Sequence, residues 1–215
     1  MSTPRTFTRR AALIAATATA ALVLAACGGG SESGGHSGDD SASSSSNATT
    51  AAGAHNTQDV SFAQGMIQHH QQALEMAQLA AGRASSAEVK DLASRIEKAQ
   101  GPEIQTMSGW LKSWGEDVPT SHGSMGSMPG MDHSSHSGMP GMMDAKDMDE
   151  LRKMSGKDFD AMFLTMMIEH HKGAVEMATA EKNKGKYGAA TSMADDIVTT
   201  QNAEITEMNK LLGKG

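Results

Sequence analysis

Paired histidines occur twice in this chain, at His69-His70 and at His170-His171, and methionines lie close to each pair. Imidazole nitrogen and thioether sulfur can both bind metal ions. The soft, neutral thioether favours Cu(I), and by the same softness Ag(I), over zinc or magnesium. Cys27 is the only cysteine, so the chain offers neither an internal disulfide nor a thiolate cluster. Metal chemistry would therefore depend on His, Met, Asp and Glu.

The two histidine pairs belong to an internal repeat, in which residue i of the first copy matches residue i + 101 of the second. Met66-Ile67-Gln68-His69-His70 returns as Met167-Ile168-Glu169-His170-His171. The match extends upstream to Asp59 and Phe62, and downstream through Gln100, Glu103, Ile104 and Met107. Two copies of one helical unit predict a duplicated bundle.

Helical geometry limits how these ligands can combine. Adjacent residues of a helix lie about 100° apart around its axis, so neighbouring histidines cannot simply chelate one ion from one helix. Each must combine with a residue three, four or seven positions away, or with another helix. The candidate metal ligands in the helices are Met66, His69, His70, Met76, Met162, Met166, Met167, His170, His171 and Met177.

A structural interpretation competes with ligation. Methionine fills irregular gaps well, and only 3% of the residues are aromatic, so part of the methionine excess is core packing. Duplication favours ligation, because burying four imidazoles without partners is costly. Glu103 and Glu204 are expected to hydrogen-bond the imidazoles and orient them, rather than to bind metal themselves.

A second group of candidate ligands lies between the two copies, among Gly, Ser, Pro and Asp. Such a segment cannot bury its methionines in a core of its own. It is similar to the Met/His-rich segments of extracytoplasmic copper proteins and suits capture and exchange of Cu(I). Alternatively, its side chains pack on the bundle, or it is a neutral linker. The candidates are Met125, Met128, Met131, His133, His136, Met139, Met142 and Met143.

The elements that position these residues are helices. Apolar residues at helical spacing predict helices over about 58–82, from a capping box at Ser85 and Glu88 to about 114, over 158–183 and over 189–212. A short helical turn is expected around Leu151 and Met154. The prediction is an all-α four-helix bundle of two duplicated helical hairpins, 57–115 and 146–212, joined by a Met/His-rich linker over 116–145. Residues 57–212 would form one folded domain, and the relative position of the hairpins is left open.

The first 26 residues read as a bacterial lipoprotein signal peptide. Three arginines precede an apolar run that is too short for a typical membrane span, and Leu24-Ala25-Ala26-Cys27 resembles a lipobox. Lipid on Cys27 would anchor the chain outside the cytoplasmic membrane, with 27–56 as a flexible Gly/Ser tether. A plain secretory signal is the alternative, and an arginine pair leaves Sec and twin-arginine export both open.

The charge argues against one class of partner. The whole chain has a formal charge of −7, and the leader carries arginines but no acidic residue. An acidic chain without a basic stripe does not favour nucleic acid.

The repeated motif resembles the domain of unknown function 305 family, a ferritin-like four-helix group that includes copper-binding extracytoplasmic members. The matching pattern covers about 57–212. Its second copy comprises Phe163, Met167, Ile168, His170, His171, Ala174, Met177, Ala178, Gln201, Glu204, Ile205 and Met208. The resemblance implies the bundle fold and copper binding, and most members have no established activity.

Three functions follow as hypotheses. The first is a lipid-anchored protein that buffers Cu(I), binds Ag(I) incidentally, or hands copper to an envelope copper protein. The second is a non-metal helical interaction module of the envelope. The third is a ferritin-like di-metal oxidase, which is disfavoured because the chain has no Glu-x-x-His motif. No phosphate loop or nucleophile motif indicates another enzyme class.

Overall fold

A computed structural model describes residues 53–120 and 138–214, and these residues form five helices and no strand. The helices are α1 (Thr57–Arg83), α2 (Ala87–Trp114), α3 (Ala145–Lys153), α4 (Gly156–Lys184) and α5 (Gly188–Leu211). The predicted all-α bundle is confirmed, with boundaries within two residues for the four long helices. The turn expected around Leu151 is a helix of nine residues. The predicted leader, the predicted lipidation site Cys27 and most of the predicted tether lie outside the described residues.

The bundle is built from two hairpins, α1 with α2 and α4 with α5, which meet mainly through α1 and α4. Asn56, which caps the start of α1, donates from Nδ2 to the carbonyl of Lys184 at the end of α4, at 2.9 Å. The two central helices are therefore antiparallel. The short helix α3 packs on both of them, and its Arg152 forms an ion pair with Glu75 of α1.

Two equivalent aspartates join the hairpins at opposite ends of the bundle. Asp160 of α4 accepts hydrogen bonds from the backbone amides of Ser85 and Ser86, both at 3.0 Å, and from the Ser85 hydroxyl. Asp59 of α1 accepts from the backbone amides of Lys186 and Tyr187, at 3.0 and 2.9 Å. These donors are themselves equivalent in the repeat. Each hairpin therefore binds the turn of the other.

The same contacts correct the predicted capping box at Ser85 and Glu88, which is wrong by one residue. The N-cap of α2 is Ser86, whose hydroxyl accepts from the Val89 amide at 3.2 Å. Glu88 bonds this hydroxyl instead of a cap amide. The reason is tertiary, because Asp160 engages the hydroxyl of Ser85 and the amides of both serines.

The apolar interior consists of two clusters. One contains Met76, Met166 and Met167 with aliphatic and phenylalanine side chains from α1, α2, α3 and α4. The other contains Met66 with residues of α1, α2, α4 and α5. Core packing by methionine is thus a real part of the methionine excess. No described helix has an apolar stretch long enough to cross a bilayer.

Candidate metal centre

The four paired histidines are buried in the bundle interior, where α1 meets α4. His69, His70 and His171 have no exposed surface, and His170 is 1% exposed. The rings of His69 and His170, which are equivalent in the repeat, face each other with centroids 3.7 Å apart and planes inclined by 39°. Duplication has therefore brought one imidazole from each copy together near the pseudo-twofold axis.

Each outer histidine is hydrogen-bonded to a glutamate of its own hairpin. Nε2 of His70 lies 2.6 Å from Oε2 of Glu103 on α2, and Nε2 of His171 lies 2.7 Å from Oε2 of Glu204 on α5. Carboxylate oxygens accept, so a neutral imidazole in this position carries its hydrogen on Nε2 and its lone pair on Nδ1. The hydrogen bonds expected from the sequence are present, and their orienting role beside a metal stays a prediction.

The Nδ1 atoms of these rings share one property. All four are buried and have no hydrogen-bond partner within the described part of the chain, and Nε2 of His170 is also unpaired. A buried polar atom without a partner costs about 1–3 kcal/mol. These unpaired nitrogens are unusual for a packing core, and two of them would suffice for a two-coordinate ion.

Burial also keeps the inner pair neutral. Burial, reinforced by the charge that His70 would carry, lowers the pKa of His69 to about 3. Burial and the charge that His69 would carry lower the pKa of His170 well below its usual value. Both imidazoles therefore keep their lone pairs at neutral pH, which metal ligation requires.

The connection between the hairpins reaches this centre through five residues, Met139–Met143, here called the strap. Its Pro140 carbonyl accepts from Nε2 of His69 at 3.1 Å. At its other end Met143 is held by Gln72, whose amide oxygen accepts from the Met143 amide and whose Nε2 donates to the Met143 carbonyl, both at 2.8 Å.

Repeat asymmetry makes room for the strap. Gly173 occupies the position in α4 that Gln72 occupies in α1. A Cβ on Gly173 would collide with the Pro140 carbonyl. In the first copy, Gln72 therefore hydrogen-bonds the strap through its side-chain amide. In the second copy, Gly173 leaves space for the strap because it has no side chain.

The predicted thioether ligands are only partly gathered here. Met66, Met76, Met166 and Met167 are buried in the two apolar clusters, and Met162 packs at the edge of one of them. Met177 is partly buried, as are the strap methionines Met139, Met142 and Met143. The linker candidates Met125, Met128, Met131, His133 and His136 lie outside the described residues.

One methionine grouping was missed from the sequence. Met154, Met162 and Met166 line a surface pocket of about 550 Å³ with Asp158. Met154 follows α3, and the motif spacing that identified the other two does not reach it. Only the contact of α3 with α4 brings the three together.

The donor set restricts which ions fit. Within 53–120 and 138–214, no three side chains of His, Cys, Asp or Glu are grouped so that they could hold a metal ion. Zinc and other divalent ions commonly need three or four such ligands. Monovalent copper and silver accept two neutral donors, such as a pair of imidazole nitrogens. The centre therefore fits a soft monovalent ion better than a divalent one.

Comparison with known proteins gives one family and several similar solved structures. The family described as Domain of unknown function (DUF305) matches residues 59–212. A candidate secreted DUF305 protein of Streptomyces coelicolor is 33% identical, with a TM-score of 0.63 over 73% of this chain and 93% of that chain. A DUF305 fragment from Deinococcus radiodurans is 31% identical, with a TM-score of 0.62 over 74% and 98%. No curated protein matches the chain.

A third similar structure carries metal. CopM in its Cu(I)-bound form is 32% identical, with a TM-score of 0.57 over 71% of this chain and 94% of that chain. CopM structures with Cu(II) and with Ag are similar to this chain as well. Metal binding therefore occurs within the family that matches this chain.

Proposed function

The chain belongs to the DUF305 family, and from that premise we propose that it is a lipid-anchored extracytoplasmic protein that binds Cu(I), and incidentally Ag(I). It would buffer the ion or hand it to an envelope copper protein. This is a binding role rather than a catalytic one. The copper- and silver-bound forms of CopM support copper and silver as the ions, and they include Cu(II) as well as Cu(I).

The observation that carries the proposal is the set of four unpaired Nδ1 atoms. His70 and His171 point their Nε2 hydrogens at glutamates, which is how metal-binding histidines are commonly oriented. His69 has its Nε2 against a carbonyl, which again leaves Nδ1 free. The ion would be held between Nδ1 atoms drawn from both central helices.

The environment suits storage of a reactive ion. The histidines are shielded from solvent, so bound Cu(I) would be kept from thiols and oxidants outside. The inner pair of imidazoles is neutral, so binding needs no displaced proton from His69 or His170. The lipobox at Cys27 supports placement at the outer face of the membrane.

An anaerobic Cu(I) titration against a chromophoric competitor tests the proposal on the chain without its leader. Replacing His69, His70, His170 and His171 together by Asn is expected to abolish tight binding. His55→Asn, which changes a histidine stacked on Trp114 away from the centre, should bind as the wild type does.

A milder variant guards against misfolding. His69→Leu with His170→Leu removes only the inner pair and keeps both His–Glu hydrogen bonds. If either variant folds, as judged by circular dichroism, and still binds Cu(I) as tightly as the wild type, the proposal is wrong. If the chain does not bind Cu(I) but binds an envelope protein, the hypothesis of a non-metal interaction module is favoured instead.

A further inference from the structure

We propose that Met139 and Met177 form a separate thioether site at the strap, which receives Cu(I) or Ag(I) and passes it to the histidine centre. The inference rests on the proposed function for its second step, but not for its first. The ion would bind two neutral sulfurs, exchange onto imidazole nitrogen and leave without any change of oxidation state.

The two sulfurs lie against the same point of α1. A methyl group built on Gly65 would be 3.7 Å from Sδ of Met139 and 3.8 Å from Sδ of Met177. Met139 comes from the strap and Met177 from α4, so three separate segments meet here. Both methionines are partly exposed, whereas the four histidines are almost completely buried.

Each of the three segments that form the site also carries or contacts an inner histidine. Gly65 lies one helical turn before His69, and Met177 lies two turns after His170 on the same helix. Met139 immediately precedes Pro140, whose carbonyl contacts His69. In this proposal the ion passes from the two sulfurs toward the inner imidazole pair, one helical turn away along α1 and two turns away along α4.

Glycine at position 65 keeps the approach open. Its equivalent in the second copy is Met166, so the small residue is not a property of the repeat. A glycine inside a helix is less favourable than alanine. The distances to the sulfurs show that alanine would fit in ordinary contact, whereas a larger side chain would displace them.

Methyl-labelled methionine gives a site-specific test in the full chain without its leader, with Ag(I) as a redox-stable probe. Spectra of the His→Asn quadruple variant are recorded during Ag(I) titration, and Met139→Leu and Met177→Leu assign the two resonances. The methyl signals of Met139 and Met177 are expected to shift together along one binding curve. If they do not move at saturating Ag(I), or move along separate curves, the thioether site is wrong.

Transfer is tested with the histidines intact. Met139→Leu with Met177→Leu is expected to slow Ag(I) loading about tenfold or more, while equilibrium affinity stays within about threefold. Gly65→Leu should slow loading similarly, and the matched Gly65→Ala should not. Met193→Leu on α5 controls for loss of a methionine elsewhere. If the Ag(I) loading rate is unchanged, or if equilibrium affinity falls in proportion to the loading rate, the proposed transfer through the thioether site is wrong.

Failure of the proposed function would look different. A wild-type chain without tight Cu(I) binding could still show the paired methyl shifts. If tight Cu(I) binding is present and the methyl shifts are absent, only the proposed thioether site is wrong. If the quadruple variant is too unstable for spectra, the double variant His69→Leu with His170→Leu serves as the background.

Discussion

The chemistry of single residues rests on ring nitrogens that face the interior without a partner. The sequence identified the four histidines and the two glutamates, because the repeat marked them twice. It could not assign Nδ1 as the free atom, since that depends on the glutamates meeting Nε2 across a hairpin. Nor could it foresee that the Pro140 carbonyl would contact His69 alone and leave His170 unpaired.

Acid should destabilise the metal-free protein. His69 has a folded pKa of about 3 against an ordinary value of 6.5, and the pKa of His170 is also lowered. Below pH 6.5 the unfolded chain takes up protons that the folded chain refuses, so stability falls as pH decreases from about 6.5 toward 3. Each histidine contributes up to about 1.4 kcal/mol per pH unit. Urea unfolding at pH 7 and pH 5 measures this.

The control for the acid effect is His69→Leu with His170→Leu, which should flatten the slope. If the wild type is equally stable at pH 5 and pH 7, and its pH dependence is the same as that of the double variant, His69 and His170 are not a buried neutral pair.

Removing the orienting carboxylates should weaken ion binding without abolishing it. Glu103→Gln with Glu204→Gln leaves Nε2 of each outer histidine with a neutral acceptor, and loss of such outer partners typically costs about 10–100-fold in affinity. The Cu(I) competition titration measures the change, and Glu176→Gln at an exposed position of α4 is the control. Equal affinity in all three proteins would show that the glutamates have no such role.

Glu181 should make the protein less stable in alkali. Burial and the neighbouring Asp59 carboxylate raise the pKa of Glu181 from 4.5 to about 8. The folded state holds a proton that the unfolded state releases, so stability falls as pH rises from about 4.5 through 8. Glu181→Gln should remove this loss and raise the melting temperature at pH 8.5, with little change at pH 4.5. If the variant is less stable than the wild type at pH 8.5, the raised pKa of Glu181 is refuted.

At the scale of elements, helix type and extent follow from the sequence, but the joints between helices do not. Apolar spacing located the four long helices within two residues. The strap was assigned to a linker, because Gly, Pro and Met carry no periodic pattern. Its position depends on Gln72 and Gly173, which are equivalent in the repeat but differ in type.

Asp160 is expected to be a major link between the hairpins. Asp160→Ala leaves two backbone amides and a hydroxyl without their acceptor, and should lower the free energy of unfolding by about 2–4 kcal/mol. Chemical denaturation measures the change. Asp196→Ala, at an exposed position of α5, should change stability by less than about 0.5 kcal/mol. Similar small effects for both would show that the serine turn does not depend on Asp160.

At the scale of the whole molecule, the buried histidine centre is distinct from the predicted Met/His-rich linker. The candidates Met125, Met128, Met131, His133 and His136 lie outside the described residues, and their role stays a prediction from the sequence. Replacing all five by Ser should leave the melting temperature and the tightest Cu(I) affinity unchanged, while reducing the number of weakly bound ions. Titration with excess Ag(I) counts them. If the tightest Cu(I) affinity falls strongly in this variant, the main binding site lies in that segment.

The most direct measurement is ¹⁵N NMR of the histidine-labelled chain with Ag(I), because silver is spin-active and couples to the nitrogen that binds it. Nδ1 resonances from both central helices are expected to shift and to show coupling to silver, while Nε2 of His70 and His171 stays protonated against the glutamates. Binding of one equivalent of Ag(I) with every Nδ1 unchanged would contradict the account.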